Sequence, residues 1–272
     1  MRTAVLAVAK LENNYIREWV EYYKNLGFSN IILYDNNDDN GERVADVIRD
    51  YIDEGFVILE EFFGIDKAQF IVYGDGYAKY GKDYDWIAVF DIDEYLVINE
   101  KYNNNIANYL SCGLFDDADI IRISWRIMDD NDLLTVKDND YSLFNRFTRP
   151  AISGKQCDWT KGIVKGGLNL KIPSNNNTSH MVCIGGINKA VDANGRQIPN
   201  TNIMIGCDYS NAALNHYCHK TIEEFVKQKM KKGWGVDLDK NIINKNMFFV
   251  YNIWTQEKED LYNKLTKELY AK

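Results

Sequence analysis

With 272 residues, 46% of them hydrophobic and 26% charged, the chain can bury roughly three quarters of its unfolded surface, which excludes a disordered or fibrous protein and suits one large domain. A net charge of −8 argues against nonspecific nucleic-acid binding, because that needs Lys and Arg to neutralise phosphates. Five cysteines, Cys112, Cys157, Cys183, Cys207 and Cys218, are widely spaced without a C-x-x-C pair; neither a disulfide framework nor a zinc ribbon fits, and free thiols in a reducing cytoplasm are the simplest reading.

The basic, apolar start from Met1 to Lys10 resembles a signal peptide only superficially. It is too short to span a membrane and is followed by no small-residue cleavage site, so residues 3–9 read as a first strand. Ile16, Trp19, Val20 and Tyr23 then recur at helical spacing, with Gly27 as the stop. Ile31 to Tyr34 read as a buried strand ending in the polar loop Asp35-Asn36-Asn37-Asp38. A helix carrying Val44, Val47, Ile48 and Tyr51 closes at Gly55, and Val57 to Phe62 form the next strand. A looser helix, weakened by Gly74 and Gly76, is predicted from about 66 to 80. It precedes the apolar run Trp86 to Phe90, and Ile120 to Ser124 give a further strand leading into Trp125 and Asp129-Asp130.

This alternation is that of a mostly parallel sheet with crossover helices. Beyond residue 125 the pattern is irregular, with Gly and Asn clusters at 162–169, 174–177 and 185–195 that read as loops and short antiparallel strands. Order returns at Thr221-Ile222-Glu223-Glu224, a capping box opening a helix with Ile222, Phe225, Val226 and Met230 on one face and Gly233 at its end. The tail 251–272 reads as a charged amphipathic helix. One domain over 1–272 is expected, with halves at 1–125 and 126–220 and C-terminal helices over 221–272.

The chain holds six D-x-D pairs, at 83/85, 91/93, 117/119, 130/132, 138/140 and 237/239. Only Asp91 and Asp93 follow an apolar strand. Residues two apart on a strand project to one side, so this pair can face one cation at the C-terminal edge of the sheet, where open α/β sheets bind ligands. The adjacent Glu94 points the other way and would orient its neighbours. Aromatic residues make up 13% of the chain, with 18 Tyr and 6 Trp, an excess that suits a carbohydrate cleft but suits a large core at least as well.

Four ordered segments together resemble glycosyltransferase family 92 and related family-2-like glycosyltransferases: Lys10-Leu11-Glu12-Asn13-Asn14-Tyr15-Ile16-Arg17-Glu18-Trp19-Val20-Glu21-Tyr22-Tyr23, Ile32 to Asn37, Asp85 to Leu96, and Leu214-Asn215-His216-Tyr217-Cys218-His219-Lys220-Thr221. Leu11 and Tyr23 stand where that group usually carries Asn and His. The resemblance implies a GT-A type α/β fold: a mostly parallel central sheet with flanking helices, a Rossmann-like nucleotide-binding half, an irregular acceptor-binding half and C-terminal helices. It implies transfer of a sugar from a nucleotide-diphosphate donor, a UDP-sugar foremost, to a saccharide or glycolipid acceptor, with inversion, in surface polysaccharide or lipopolysaccharide synthesis.

On that resemblance Asp91, Asp93 and His216 would hold Mn²⁺ or Mg²⁺, whose charge offsets the negative charge developing on the leaving diphosphate. Lys220, beside a helix N-terminus, would hold the departing phosphate. Glu12, Asp35 and Gln69 would line the nucleotide pocket. Asp129 or Asp130 would be the general base of an inverting transfer, and His180 would contact donor or acceptor. The lysines at 227, 229, 231 and 232 read as a solvated face. A cytoplasmic protein, at most peripheral to the membrane, is expected. Three other classes fit less well. A catalytically silent nucleotide or sugar-binding module leaves the intact Asp91, Asp93 and His216 set unexplained, and a dehalogenase-like phosphatase would place a Thr or Val after its aspartates and sit nearer the N-terminus. A nucleotidyltransferase would need an N-terminal Gly-rich phosphate loop, which is not seen.

Overall fold

The computed structural model describes residues 1–152, 159–171, 180, 185–201, 206–232 and 243–271. The predicted helix stop at Gly233, the Asn cluster at 174–177, Cys157 and Cys183 lie outside them. The N-terminal half follows the strand–helix alternation: β1 (Thr3–Ala9), α1 (Asn13–Asn25), β2 (Asn30–Asp35), α2 (Ala45–Asp53), β3 (Val57–Glu61), α3 (Ala68–Tyr80) and β4 (Trp86–Val89). Then come β5 (Glu94–Ile98), α4 (Ile106–Leu110), β6 (Ile120–Ile127), α5 (Leu143–Arg146), β7 (Thr160–Lys165), β8 (Ala190–Asp192), β9 (Gln197–Ile198) and β10 (Ala212–His216). The C-terminal part holds α6 (Ile222–Glu224), a π-helical turn (Phe225–Lys229), α7 (Met230–Lys232), α8 (Lys245–Tyr251) and α9 (Gln256–Tyr270).

The strands form one mixed sheet in the order β3-β2-β1-β4-β7-β6-β10-β5, with β8 and β9 attached to β6. The pairings β3-β2-β1-β4 are all parallel, whereas β7 runs antiparallel to both β4 and β6. β10 lies parallel to β6 and antiparallel to β5. Four strand spacings of about 4.8 Å separate β4 from β5, more than the residues linking Val89 to Glu94 can span at about 3.4 Å each. The sheet must therefore curl, and the short link between β4 and β5 draws its ends together.

Both faces of the sheet are covered, which is why its strands read as continuous apolar runs rather than alternations. Val5, Ala7, Ile31, Leu33, Ala88 and Ile121 pack with Ile16, Trp19, Val20 and Tyr23 of α1 and with Ile48 of α2. Leu6, Ile32, Ile87 and Val89 face the other way, onto Val72, Tyr73 and Tyr77 of α3. The glycine that weakened the prediction of α3 has a packing reason. A Cβ at Gly76 would come within 2.7 Å of the Leu6 side chain, so helix and sheet approach as closely as they do because nothing is there. Ile222, Phe225, Val226 and Met230 build a separate cluster with Phe248 of α8 and with Tyr262 and Leu265 of α9. Among the described residues no helix is long and apolar enough to cross a membrane.

One expectation about local geometry is corrected. β4 ends at Val89, and Asp91 and Asp93 sit on the turn between β4 and β5, with Glu94 N donating to Asp91 O at 3.1 Å. Strand alternation therefore does not set the directions of the two carboxylates; the turn does.

Candidate active site

Residues of α1 fasten this acidic turn from behind. The indole Nε1 of Trp19 donates to both Asp91 O and Glu94 O, each at 3.1 Å. The Tyr23 hydroxyl donates to Glu94 O at 3.0 Å and accepts from Leu96 N at 3.1 Å, while Tyr22 donates to Leu96 O at 2.6 Å. The helical W-x-x-Y-Y spacing thus serves the turn as much as the core. Glu94 acts from within: its Oε2 accepts from Asp91 N at 2.9 Å. Its other oxygen is buried with no hydrogen bond among the described residues, 3.8 Å from the Lys161 ammonium. Burial pushes the Glu94 carboxyl well above its usual range against the pull of Lys161.

The Asp91 carboxylate is closely engaged, accepting from Lys161 Nζ at 2.8 Å, Tyr73 OH at 2.5 Å and Gln69 Nε2 at 2.9 Å. Burial works against its charge, but Lys161 outweighs this and lowers it below the ordinary value. Lys161, 1% exposed on β7, answers it: burial disfavours the ammonium, and Asp91 and Glu94 overcome that and raise it. Gln69, expected in the nucleotide pocket, is here a partner of Asp91.

Asp93 faces the opposite strand. Antiparallel pairing of β5 with β10 sets His216 against Glu94, and His216 Nε2 lies 3.6 Å from Asp93 Oδ1, beyond hydrogen-bonding distance. Burial opposes ionisation of Asp93, but His216, with Lys220 and Lys229, holds it well below the usual carboxylate range. Burial lowers His216 despite Asp93, so near neutral pH the imidazole keeps a nitrogen lone pair, and it becomes the cation that holds Asp93 down only in acid, where Asp93 itself would titrate. His216 Nδ1 is buried with no hydrogen bond among the described residues.

Asp93 opens onto a narrow cleft lined also by Glu12, Lys220, Gln228, Lys229 and Lys232, with about 20 Å³ of free space, the room of one water or ion. Thr221 and Glu224 form the predicted capping box, and Lys220 just before it adopts a left-handed backbone, φ +58°, with its ammonium over the Tyr15 ring at 4.6 Å. Tyr15 in turn donates to Glu224 at 2.6 Å. Two of the four lysines expected on a solvated face line this cleft instead. Lys227 does point outward, paired with Glu223 at 2.6 Å, but Lys232 pairs with Glu12 at 2.5 Å. The π-turn that carries Lys229 shifts the helical register within this segment, a local irregularity frequent at functional sites.

The donor chemistry here fits a hard divalent cation in part. A buried ionised carboxylate beside a neutral imidazole with a spare nitrogen is a metal-binding pair, but Asp91 is turned to Lys161, and among the described residues no three such side chains converge on one point. The three-residue set expected from the sequence is therefore brought together only as Asp93 with His216.

Other expected site residues lie elsewhere. Asp35 spends its carboxylate on Val44 N at 2.9 Å and on Asn37 N and Nδ2 at 3.1 and 2.8 Å, shaping the turn before α2. Asp129 is paired with Arg149 at 2.6 Å and Asp130, fully buried, with Lys258 at 2.7 Å. These ion pairs fasten the end of β6, so the arrangement offers neither carboxylate to an acceptor as a free base. His180 rests its Nδ1 against Thr160 O at 2.8 Å. The sequence missed Lys161, Tyr73, Lys229 and Lys232. Lys161 had no distinguishing signal in Thr160-Lys161-Gly162-Ile163-Val164-Lys165, which carries a second lysine, and Tyr73 had none beyond helical spacing.

The family model of Glycosyltransferase family 92 matches residues 5–246. No curated protein matches the chain. Among solved structures it is similar to TarS 1–349 of S. aureus, at 10% identity over 100% of this chain and 72% of that one, with a TM-score of 0.45. It is similar also to the mannosyltransferase PcManGT from Pyrobaculum calidifontis, solved with GDP-Man and Mn²⁺, at 10% identity over 99% and 74% of the two chains and a TM-score of 0.41. At such values these two likenesses are remote.

Proposed function

Because the chain belongs to glycosyltransferase family 92 and is a glycosyltransferase, we propose that it moves a sugar from a nucleoside-diphosphate donor, a UDP-sugar foremost, to a saccharide or glycolipid acceptor, with Mn²⁺ or Mg²⁺ held at Asp93 and His216. The observation that carries this reading is the 3.6 Å approach of Asp93 to His216 beside a cleft bearing Lys220, Lys229 and Lys232. When bound, the cation would supply positive charge against the leaving diphosphate.

The chain's own groups divide the remaining work. Lys220, Lys229 and Lys232 offer ammonium donors to phosphate oxygens, and Glu12 holds Lys232 in place. Lys161, Tyr73 and Gln69 fix Asp91, leaving it to orient the turn and to meet the donor through its exposed edge, since 23% of that side chain remains accessible. Trp19 and Tyr23 hold the turn rigid, which lets the charged groups stand preorganised rather than gather on binding. Inversion at the anomeric carbon and a place in surface polysaccharide or lipopolysaccharide synthesis belong to the same reading, as does a peripheral approach to the membrane if the acceptor is a glycolipid. Asp129 and Asp130, both in ion pairs, do not recommend themselves as the base.

The test is release of nucleoside diphosphate from a panel of nucleotide-sugars, with Mn²⁺ and after chelation. Turnover with Mn²⁺ and its loss by about 100-fold or more in Asp93→Ala, with the fold intact, is the expected result. Full activity of that variant would remove Asp93 from the site; binding of nucleotides with no turnover of any donor would leave a binding module.

A further inference from the structure

Most of the aromatic excess is core: Tyr15, Trp19, Tyr23, Tyr73, Tyr95, Tyr109 and Tyr217 are all at most 1% exposed. One group behaves differently. His216 packs on Trp125 with ring centroids 4.2 Å apart, and Trp125 lies 5.4 Å from His180 and 6.2 Å from Trp159. Trp159 and His180 are 5.2 Å apart. The backbone fixes the two indoles to each other, since Trp125 N donates to Trp159 O at 2.9 Å, and Tyr209 OH secures Trp125 O at 2.7 Å.

Trp125 belongs to β6, so the base of this group is sheet rather than loop. Its outer member, Trp159, is 37% exposed. A single exposed indole needs no explanation; this one continues, ring by ring, a stack that starts on the imidazole beside Asp93. Trp125 and His180 are half-buried and Trp159 is 37% exposed, so the cluster meets solvent along its Trp159 side, and the C–H face of a pyranose is the ligand surface that suits exposed apolar rings while its hydroxyls stay in water.

We propose that Trp125, Trp159 and His180 form the saccharide acceptor subsite, receiving a pyranose ring by its C–H face next to the Asp93–His216 pair. This rests on the transferase reading for the word acceptor, but the binding itself does not need a donor, so the two can fail separately. The experiment labels the full-length protein with 5-fluorotryptophan, assigns resonances by Trp125→Phe and Trp159→Phe, and titrates methyl β-D-glucopyranoside, methyl β-D-galactopyranoside and cellobiose without nucleotide or metal.

Saturable shifts of the Trp125 and Trp159 signals with at least one probe, weakened about tenfold in Trp159→Ala and unchanged in Trp254→Ala, are expected; Trp254 is a more exposed indole elsewhere on the surface. Absence of movement with all three probes at millimolar concentrations, or equal binding by Trp159→Ala, overturns the subsite. Donor turnover measured on the same preparations reports the transferase reading independently: turnover with an unresponsive platform sinks only the subsite.

Discussion

Replacing Arg146 by Met should expose how much of this fold hangs on one buried ion pair. Its guanidinium grips Glu224 with two bonds, Nη1 to Oε2 at 2.8 Å and Nη2 to Oε1 at 2.9 Å, with side chains only 7% and 3% exposed. The same carboxylate accepts from Tyr15 OH and Thr221 Oγ1, each at 2.6 Å, so it ties α1, α5 and α6 together. Taking one partner from a desolvated pair strands a buried charge and costs about 3–5 kcal/mol, whereas replacing both partners is often nearly neutral. Urea unfolding at neutral pH should give Arg146→Met that full cost and return most of it in Arg146→Met/Glu224→Gln, a coupling read from the double-mutant cycle.

The pH dependence has a definite sign. Burial pushes Glu224 up, but Arg146 outweighs it and lowers the folded-state value. Stability from the pair is thus complete above the unfolded carboxyl value of about 4.3 and fades as pH falls through the lower folded value. In Arg146→Met burial acts unopposed by Arg146 and the carboxyl moves upward, so the gap between the two proteins should narrow on acidification. A cost under about 1 kcal/mol at pH 7, the size of a solvent-screened pair, or a gap that widens in acid, would refute the reasoning.

Trp19→Phe keeps an aromatic ring in the core but removes part of the indole's buried volume together with the donor shared by Asp91 O and Glu94 O. A loss of about 1–3 kcal/mol in unfolding free energy should accompany a fall in nucleoside-diphosphate release of up to about 100-fold, because small displacements of a reacting group are costly; unchanged turnover would detach α1 from the site. Gly76→Ala should destabilise by about 1–3 kcal/mol through contact with Leu6, exceeding the roughly 1 kcal/mol gained in helix propensity. Leu6→Val in the same chain should recover part of that loss in thermal unfolding, and no recovery would place the strain elsewhere.

The legible parts of the sequence were those governed by local periodicity. Strands buried on both faces wrote themselves as Ile31 to Tyr34 and Trp86 to Phe90, and the capping box wrote itself as Thr221 and Glu224. What escaped was non-local. The apolar run Tyr95-Leu96-Val97-Ile98 right after the acidic turn is a strand signal in itself, but its partner β10 lies over a hundred residues on, so its place in the sheet was not legible. Lys161 reaches Asp91 only because β7 enters the sheet antiparallel between β4 and β6, and no spacing rule foresees that. Lys229 lies on the π-turn and Lys232 on α7 just beyond it, so ordinary helical spacing counted from Thr221 does not give the directions of these two lysines. Asp35, Asp129 and Asp130 illustrate the converse: acids at strand ends attracted functional readings, yet here Asp35 satisfies backbone amides, Asp129 pairs with the part-exposed Arg149 and Asp130 with the buried Lys258.

The four-residue bridge from Val89 to Glu94 couples shape to chemistry. It joins a middle strand to the far edge of a coiled ribbon, so the acids sit where the ribbon nearly meets itself, like the clasp of a bracelet. The gap between Asp93 and His216 is held locally, by pairing of Glu94 with His216 and by the bond from Tyr217 N to Asp93 O at 2.9 Å, so the curl of the ribbon acts on the turn and the two strands as a unit. Closure of the ribbon therefore brings the two acids of the turn to the seam where a central strand and an edge strand meet.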